Sequence, residues 1–442
     1  MEQKNNLDEK LKKKSLDYSI RDGAAYAVMD SAGNGYISPC AIALGANNYF
    51  IGFISSVPGL VSSILQIKTP RLMEKSSRKS IVTSAALVQA FMWLPLALIA
   101  LVNIRFQYVL PSLLLSYVLL ISLNALIAPS WASWMKDLVP EKESGKFFGR
   151  RNRINGILGL VAMLIAGLLL DSFKTSRQLF LGFATLFLVA FIARLISRHY
   201  LLKKYEPRLS LGKKYYFSFL QFFKKMPYNN FGRFALFIGL FQLVVNIASP
   251  FFTAYMLKDL NFTYAMFTII TTLQVLATLV SMPMWGKFAD KYGNVKVMKI
   301  TSLLIPILPF LWLFSPNFYY LAFVQLLAGF FWAGFNLAAS NFIYDAVTRE
   351  RMGLCVAYSN VINTSGVFIG ANLGGFLSTN IIWGFNPFFA LFMISAIGRF
   401  LVPLIMLPRI TEVRDVKHFN ARQGIKNQID SIMRILNPFR ES

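Results

Sequence analysis

Twelve mostly apolar runs divide this chain, at 24–45, 48–67, 80–102, 108–135, 152–171, 178–198, 233–256, 263–285, 297–314, 318–343, 355–379 and 386–408. Each approaches the ~20 residues that a helix needs to cross a hydrocarbon core of about 30 Å. Within lipid a backbone segment must satisfy its own N–H and C=O groups, so such runs are read as helices. The fold class that follows is an all-α membrane protein with 12 transmembrane helices. Charged residues make up only 15% of the chain, against about 25% in a soluble domain.

The formal net charge of +25 raises the question of nucleic acid. Binding of that kind predicts a basic face on a soluble fold, whereas here the cations fall between apolar runs, so no nucleic-acid partner is expected. Lys and Arg stay on the cytoplasmic side during insertion. With both termini cytoplasmic, only Arg105, Lys174, Arg177 and Lys258 of 45 cations occupy the opposite loops, and Arg194 and Arg399 fall inside spans. The two arginines are expected to snorkel toward, or pair at, helix ends. The chain therefore reads as a multi-pass protein of the cytoplasmic (inner) membrane.

The first run contains Asp30 and Asn34 and lacks a small-residue cleavage pattern after it, so it is not read as a signal peptide. The expected division is a cytoplasmic segment 1–23, a six-helix bundle 24–198, a basic linker 199–232, a second bundle 233–408 and a cytoplasmic tail 409–442. The linker interleaves Lys203, Lys204, Lys213, Lys214, Lys224 and Lys225 with aromatic residues. That mixture suits either an anionic leaflet surface or plain solvent. In the tail, Ile425 to Ile435 has the pattern of a short interfacial helix.

Cys40 and Cys355 sit inside apolar runs without paired spacing, and His199 and His418 lie in basic flanks. Little material remains for a disulfide framework, a zinc site or a His-based triad. An enzyme, a metal and a cofactor are not expected.

The chain also repeats itself. Gly286-Lys-Phe-Ala-Asp290-Lys-Tyr-Gly293-Asn-Val-Lys296 separates two apolar runs, and Pro70-Arg-Leu-Met-Glu74-Lys-Ser-Ser77-Arg78-Lys79 stands 216 positions earlier in the same frame. Asp137 and Asp345, Gly145 and Gly353, Asn152 and Asn360, Asn155 and Asn363, and Gly167 and Gly375 are each 208 apart. Six spans per copy make two pseudo-symmetric six-helix bundles. Gly286 and Gly293 suit close backbone approach and positive φ, and Asp290 suits the free amides of a helix N-terminus. Gly366, Gly370 and Gly374 recur every four residues on one helical face, a signal for close helix packing.

These features resemble the major facilitator superfamily over nearly the whole chain. The family's loop signature, G-x-x-x-D-x-x-G-x-x-[KR], is met by Gly286, Asp290, Gly293 and Lys296; the first-half version substitutes Pro70, Glu74 and Ser77. Trp131 to Glu141, with Phe147 to Arg151, is similar to the connection between spans 4 and 5 of prokaryotic members. The glycine-proline antiporter signature of span 5 and an arginine in span 4 are missing. The resemblance implies that Asp290 latches the halves near Arg150 and Arg151, that Glu74 and Arg78 form a weaker counterpart near Gly353, and that spans 1, 4, 7 and 10 line a central cavity.

Polar residues within spans agree with that last implication, because polar groups in lipid usually face a bundle interior or a wet cavity. Spacing of four places Asp30 with Asn34, Gln242 with Asn246, and Trp332 with Asn336 and Ser340 on single faces, while Asn124 and Trp131 lie two turns apart. A single asparagine is equally a packing hydrogen bond of about 0.6 kcal/mol; the set is read as the substrate site. Asp30 is the one carboxylate well inside a span. A carboxyl removed from water holds its proton more readily, so it reads either as a proton carrier or as the partner of a basic residue. The expected function is a monomeric secondary transporter of a small neutral or amphiphilic organic solute, with sugar-like solutes favoured and proton coupling open. A drug exporter and a non-transporting receptor or assembly factor on the same fold are the alternatives.

Overall fold

The computed structural model describes residues 2–101, 106–140, 143–207, 217–348, 351–380 and 386–416. The tail segment Ile425–Ile435 and the linker lysines Lys213 and Lys214 lie outside them. Among the described residues the ordered elements are all helical. The first six long helices are α1 (Glu2–Ala32, continuing through Asn34–Tyr36 and Ile37–Ala43), α2 (Asn48–Gln66), α3 (Arg78–Phe91 and Trp93–Leu101), α4 (Phe106–Ser122 and Asn124–Leu138), α5 (Ser144–Thr175) and α6 (Leu179–Leu202). The second six are α7 (Asn230–Asn246, Ser249–Ala254 and Tyr255–Asp259), α8 (Tyr264–Tyr292), α9 (Asn294–Leu304 and Ile307–Leu311), α10 (Phe318–Ala346), α11 (Met352–Asn380) and α12 (Pro387–Met406).

Eleven of these paths are long and apolar enough to cross a membrane. The twelfth, α1, falls short in apolarity, its stretch being interrupted by Asp30, Ser31 and Asn34; the helix also breaks at Gly33, where an added Cβ would strike the Trp93 ring of α3. It begins well before the span expected from residue 24. Lysine, leucine and glutamate are strong helix formers, and they carry α1 back to Glu2. This segment is held against the linker: Ser15 Oγ accepts the Tyr205 N–H at 2.8 Å, and Lys204 Nζ reaches Asp22 at 2.7 Å. In α7 the helix breaks between Asn246 and Ser249 ahead of Pro250, whose ring cannot donate to the ladder.

Two seams join α1–α6 to α7–α12. Along α2 and α11, Gly52 abuts the Ala371 carbonyl, Ser63 bonds Thr364 at 2.6 Å, and Asn360 reaches Gln66 at 3.4 Å. Along α5 and α8, Asp171 accepts the Tyr264 and Ala265 backbone N–H groups at 2.8 Å each, and Gly167 packs on Thr268. Within the second half, Gly366, Gly370 and Gly374 meet the backbone carbonyls of Gly239, Leu243 and Ile247 on α7. The glycine stripe thus does what its spacing predicts.

The duplicated turns differ in their backbone. Gly293 ends α8 with φ +91°, and a side chain there would collide with Glu412. At the matching position Ser77 has φ −64° and caps α3 by accepting the Ser80 N–H. Serine's oxygen does in one copy what glycine's left-handed backbone does in the other. Gly286 departs from its expected role: it lies inside α8, and a Cβ would find only Leu337 at 3.8 Å.

The repeat continues past the spans. Glu206 accepts the N–H of Lys79 at 3.3 Å, and Glu412 accepts that of Val295, 216 positions on from Lys79, at 2.8 Å. Arg78, 1% exposed, bonds Asp137 at 2.5 Å; its counterpart Asn294 bonds Asp345 at 2.7 Å. In the second half Arg414 of the tail supplies the missing cation, 2.8 Å from Asp345. Hydrogen bonding to Asp345 pushes the Arg414 guanidinium above its ordinary range.

Candidate transport site

Two cavities hold most of the polar residues singled out from the sequence. The first, about 640 Å³, lies in the first half between α1, α3, α4, α5 and α6, with Val275 of α8 closing one side. It contains Asp30, Asn124, Trp131 and Arg151. The second, about 410 Å³, lies among α7, α8, α9, α10 and α12 and contains Gln242, Asn246, Trp332 and Asn336. The residues expected around one cavity thus fall into two linings, one centred on each half. Asn34 and Ser340 belong to neither lining.

The helical faces explain the placement. Asn34 donates to Asp30 at 2.7 Å across one turn, leaving its own carbonyl oxygen buried without a partner. Asn124 accepts from the buried Gln89 at 2.9 Å. Trp131 lies under the Arg151 guanidinium, 4.5 Å from the ring centre. In the second half Asn246 donates both to the Gln242 carbonyl and to its side-chain oxygen, at 2.8 and 3.1 Å. Asn336 and Ser340 are exposed on α10, where no lipid-facing role suits an amide or a hydroxyl.

Several lining residues escaped the sequence reading. Gln325 stands seven residues before Trp332 and eleven before Asn336, so it shares their face; extending that stripe backwards finds it. Gln274 on α8 and Trp312 on α9 carried no repeated spacing. Arg194 and Arg399 were expected at helix ends, but they are 1% and 3% exposed and line the first and second cavities respectively. Arg399 is held by Ser395 Oγ and the Val245 carbonyl, each at 3.0 Å. Arg194 donates to Ser197 and stacks 5.1 Å from the Tyr26 ring centre. Buried serine, tyrosine and carbonyl partners, absent from any linear spacing, keep both cations inside.

The face away from the termini is closed. Tyr36 of α1 bonds the Met163 carbonyl of α5 at 2.8 Å and Thr268 of α8 at 2.7 Å, and Lys258 reaches the Ala46 carbonyl at 2.6 Å. Toward the termini, Asp290 meets Arg414 at 3.4 Å instead of Arg150 or Arg151. Arg150 is exposed, while Arg151 turns into the first half and donates to the Ser19 carbonyl. Lys296 lies in the first turn of α9, and Glu74 is exposed on the short helix Thr69–Lys75.

A family model described as Major Facilitator Superfamily matches residues 23–245 and again 234–438. The chain belongs to the major facilitator superfamily. It is accordingly a multi-pass membrane transporter, and family and fold are those of carriers that bind a small molecule within the bilayer. It is 34% identical over 119 residues to the multi-drug resistance efflux pump PmrA of Streptococcus pneumoniae, a match covering 27% of this chain and 28% of that pump. A longer match, 24% identical over 355 residues, covers 77% of this chain and 82% of the multidrug resistance protein MdtG of Proteus mirabilis. Among solved structures, a D-xylose-proton symporter superposes with TM-score 0.70 at 14% identity, covering 91% of this chain and 98% of that one. The nucleoside transporter NupG does so with TM-score 0.65 at 16% identity, covering 90% and 98%.

Proposed function

We propose that this superfamily member moves a small organic solute, neutral or amphiphilic and sugar-like, across the cytoplasmic membrane by rocking its halves about the two cavities. The observation that carries the reading is the second cavity, where Gln242, Asn246, Gln274, Gln325 and Asn336 gather around Trp332 and Trp312. Amides donate to and accept from hydroxyl groups, and an indole face offers an apolar surface to a sugar ring. The closed face opposite the termini, with the first cavity on the terminal side of that closure, fits an inward-facing carrier whose termini are cytoplasmic. In the opposite state Asp290, Gly293 and Lys296 would latch toward α5. Asp30 faces the first cavity with Asn34 as its hydrogen-bond partner, which suits a site that takes and releases a proton.

A second reading, export of lipophilic compounds, draws on the pumps named among the relatives and on the aromatic wall formed by Tyr26 and Trp131. Proteoliposomes separate the two. Accumulation of a sugar or nucleoside that collapses with the proton gradient supports the first reading. Gradient-driven movement of ethidium without any sugar or nucleoside flux replaces it with the second.

A further inference from the structure

Three cations converge at the terminal end of the first cavity, and among the described residues a single carboxylate, Asp22, answers them. Lys204, 0% exposed, reaches Asp22 Oδ2 at 2.7 Å, and Ser197 Oγ donates to Asp22 Oδ1 at 3.1 Å. Arg194 Nη1 bonds Ser197 at 2.9 Å, but its Nε and Nη2 are buried without an acceptor. Arg151 spends its Nε on the Ser19 carbonyl at 3.0 Å, and its two Nη nitrogens have no acceptor among the described residues. Asp30 does not supply the balance. It stands eight residues along α1 from Asp22, about 12 Å at 1.5 Å per residue, and is bonded to Asn34.

Arg194 is buried and Arg151 half-buried, and a buried cation with open donors is costly unless something accepts from it. Both guanidiniums line the same cavity, as does Asn155, whose side-chain oxygen is also buried without a partner. The planar fork of an arginine matches the two oxygens of a carboxylate or phosphate. We propose that Arg151 and Arg194 form an oxyanion subsite that takes a carboxylate or phosphate group, with Asn155 accepting a neighbouring hydroxyl. The inference rests on the carrier reading and alters one part of it: a sugar-like solute that also seats in the first cavity bears one acidic group beside its hydroxyls, and is an anion rather than a neutral compound. Trp131, packed against Arg151, reports on occupancy.

The test titrates the purified full-length protein with D-glucuronate, D-glucose and inorganic phosphate at constant ionic strength in chloride, following tryptophan emission. The subsite predicts saturable responses to the oxyanions and binding of glucose at least about tenfold weaker than glucuronate. Arg194→Gln and Arg151→Gln each lose the anion preference at least about tenfold. Arg194→Lys, which keeps the charge without the fork, retains part of it and serves if the glutamine variant does not fold. Response to glucuronate assigns the acid group to the solute; response to phosphate alone assigns the subsite to a free inorganic oxyanion. Absence of any oxyanion response, or equal binding by wild type and both glutamine variants, overturns the proposal. Failure of the carrier reading looks different: proteoliposomes that bind glucuronate with this arginine dependence yet neither move nor exchange it.

Discussion

Asp171, near the end of α5, accepts the backbone N–H of Tyr264 at 2.8 Å, and so the first half caps the first turn of α8 in the second. The free amides of a helix start favour an anion, and the bond crosses the seam between the halves that would part in the proposed rocking motion. A charged hydrogen bond of this kind contributes about 1.5–3 kcal/mol. Asp171→Ala is therefore expected to raise the population open at the face away from the termini by about tenfold or more. Spin labels at Asn47 and Asp259 measure it: a grown long-distance population agrees, and an unchanged distribution contradicts the cap's role.

The terminal faces of the halves should not be equally fragile. Arg78 is buried and ties Asp137 to Glu206 alone, whereas Asp345 is shared by Asn294 and Arg414. Only the Arg78 end of this pair is buried, Asp137 being 37% exposed, so solvent screening keeps its loss below the roughly 3–5 kcal/mol of a fully buried pair, while Arg78 also gives up its bonds to the Ser133 and Pro207 carbonyls. Arg78→Ala should lower the thermal midpoint clearly more than Asn294→Ala, because Arg414 still holds Asp345 in the second variant. Equal losses would argue against the division of labour.

The two motif glycines separate by their backbones. Gly293→Ala forces a Cβ into the left-handed region at φ +91° and against Glu412, a strain of roughly 1–2 kcal/mol before the collision is counted. Gly286→Ala has 3.8 Å of room and gains helix propensity. Thermal unfolding should show the first variant destabilised and the second unchanged or slightly firmer.

What could be read from the sequence, and what could not, follows from the range of the interactions involved. Span length, the duplication and the α11 glycine stripe are local or periodic, so Gly366, Gly370 and Gly374 announce their contact before the partner α7 is known. Asp30 with Asn34, and Gln242 with Asn246, bond within one turn of one helix, which spacing reveals. Arg194 was misplaced because its company comes from α1: Tyr26 and Asp22 are more than 160 positions away. The family turn pairs Asp290 with α5, whereas in this structure the tail's Arg414 takes it, a contact between positions 124 apart that no spacing announces. Glu206 and Glu412 repeat at the ends of their halves, yet a lone glutamate after a span carries no pattern until both amides it accepts are seen.

Proton coupling gives a further expectation. With Asp30 as the carrier, Asp30→Asn fixes that site in a neutral form, so reconstituted protein should lose gradient-driven accumulation while solute exchange persists. Accumulation retained by this variant removes Asp30 from the coupling mechanism.

In the proposed function the amide-lined cavity of the second half recognises the transported solute. A thermal-shift screen of purified protein against sugars, sugar acids, nucleosides, peptides and cationic dyes first identifies a binder; titration of that binder into Asn246→Ala and Asn336→Ala then tests the site. Each substitution is expected to weaken binding about tenfold, consistent with losing one or two hydrogen bonds in a cavity screened from water. Binding at wild-type affinity in both variants would contradict it.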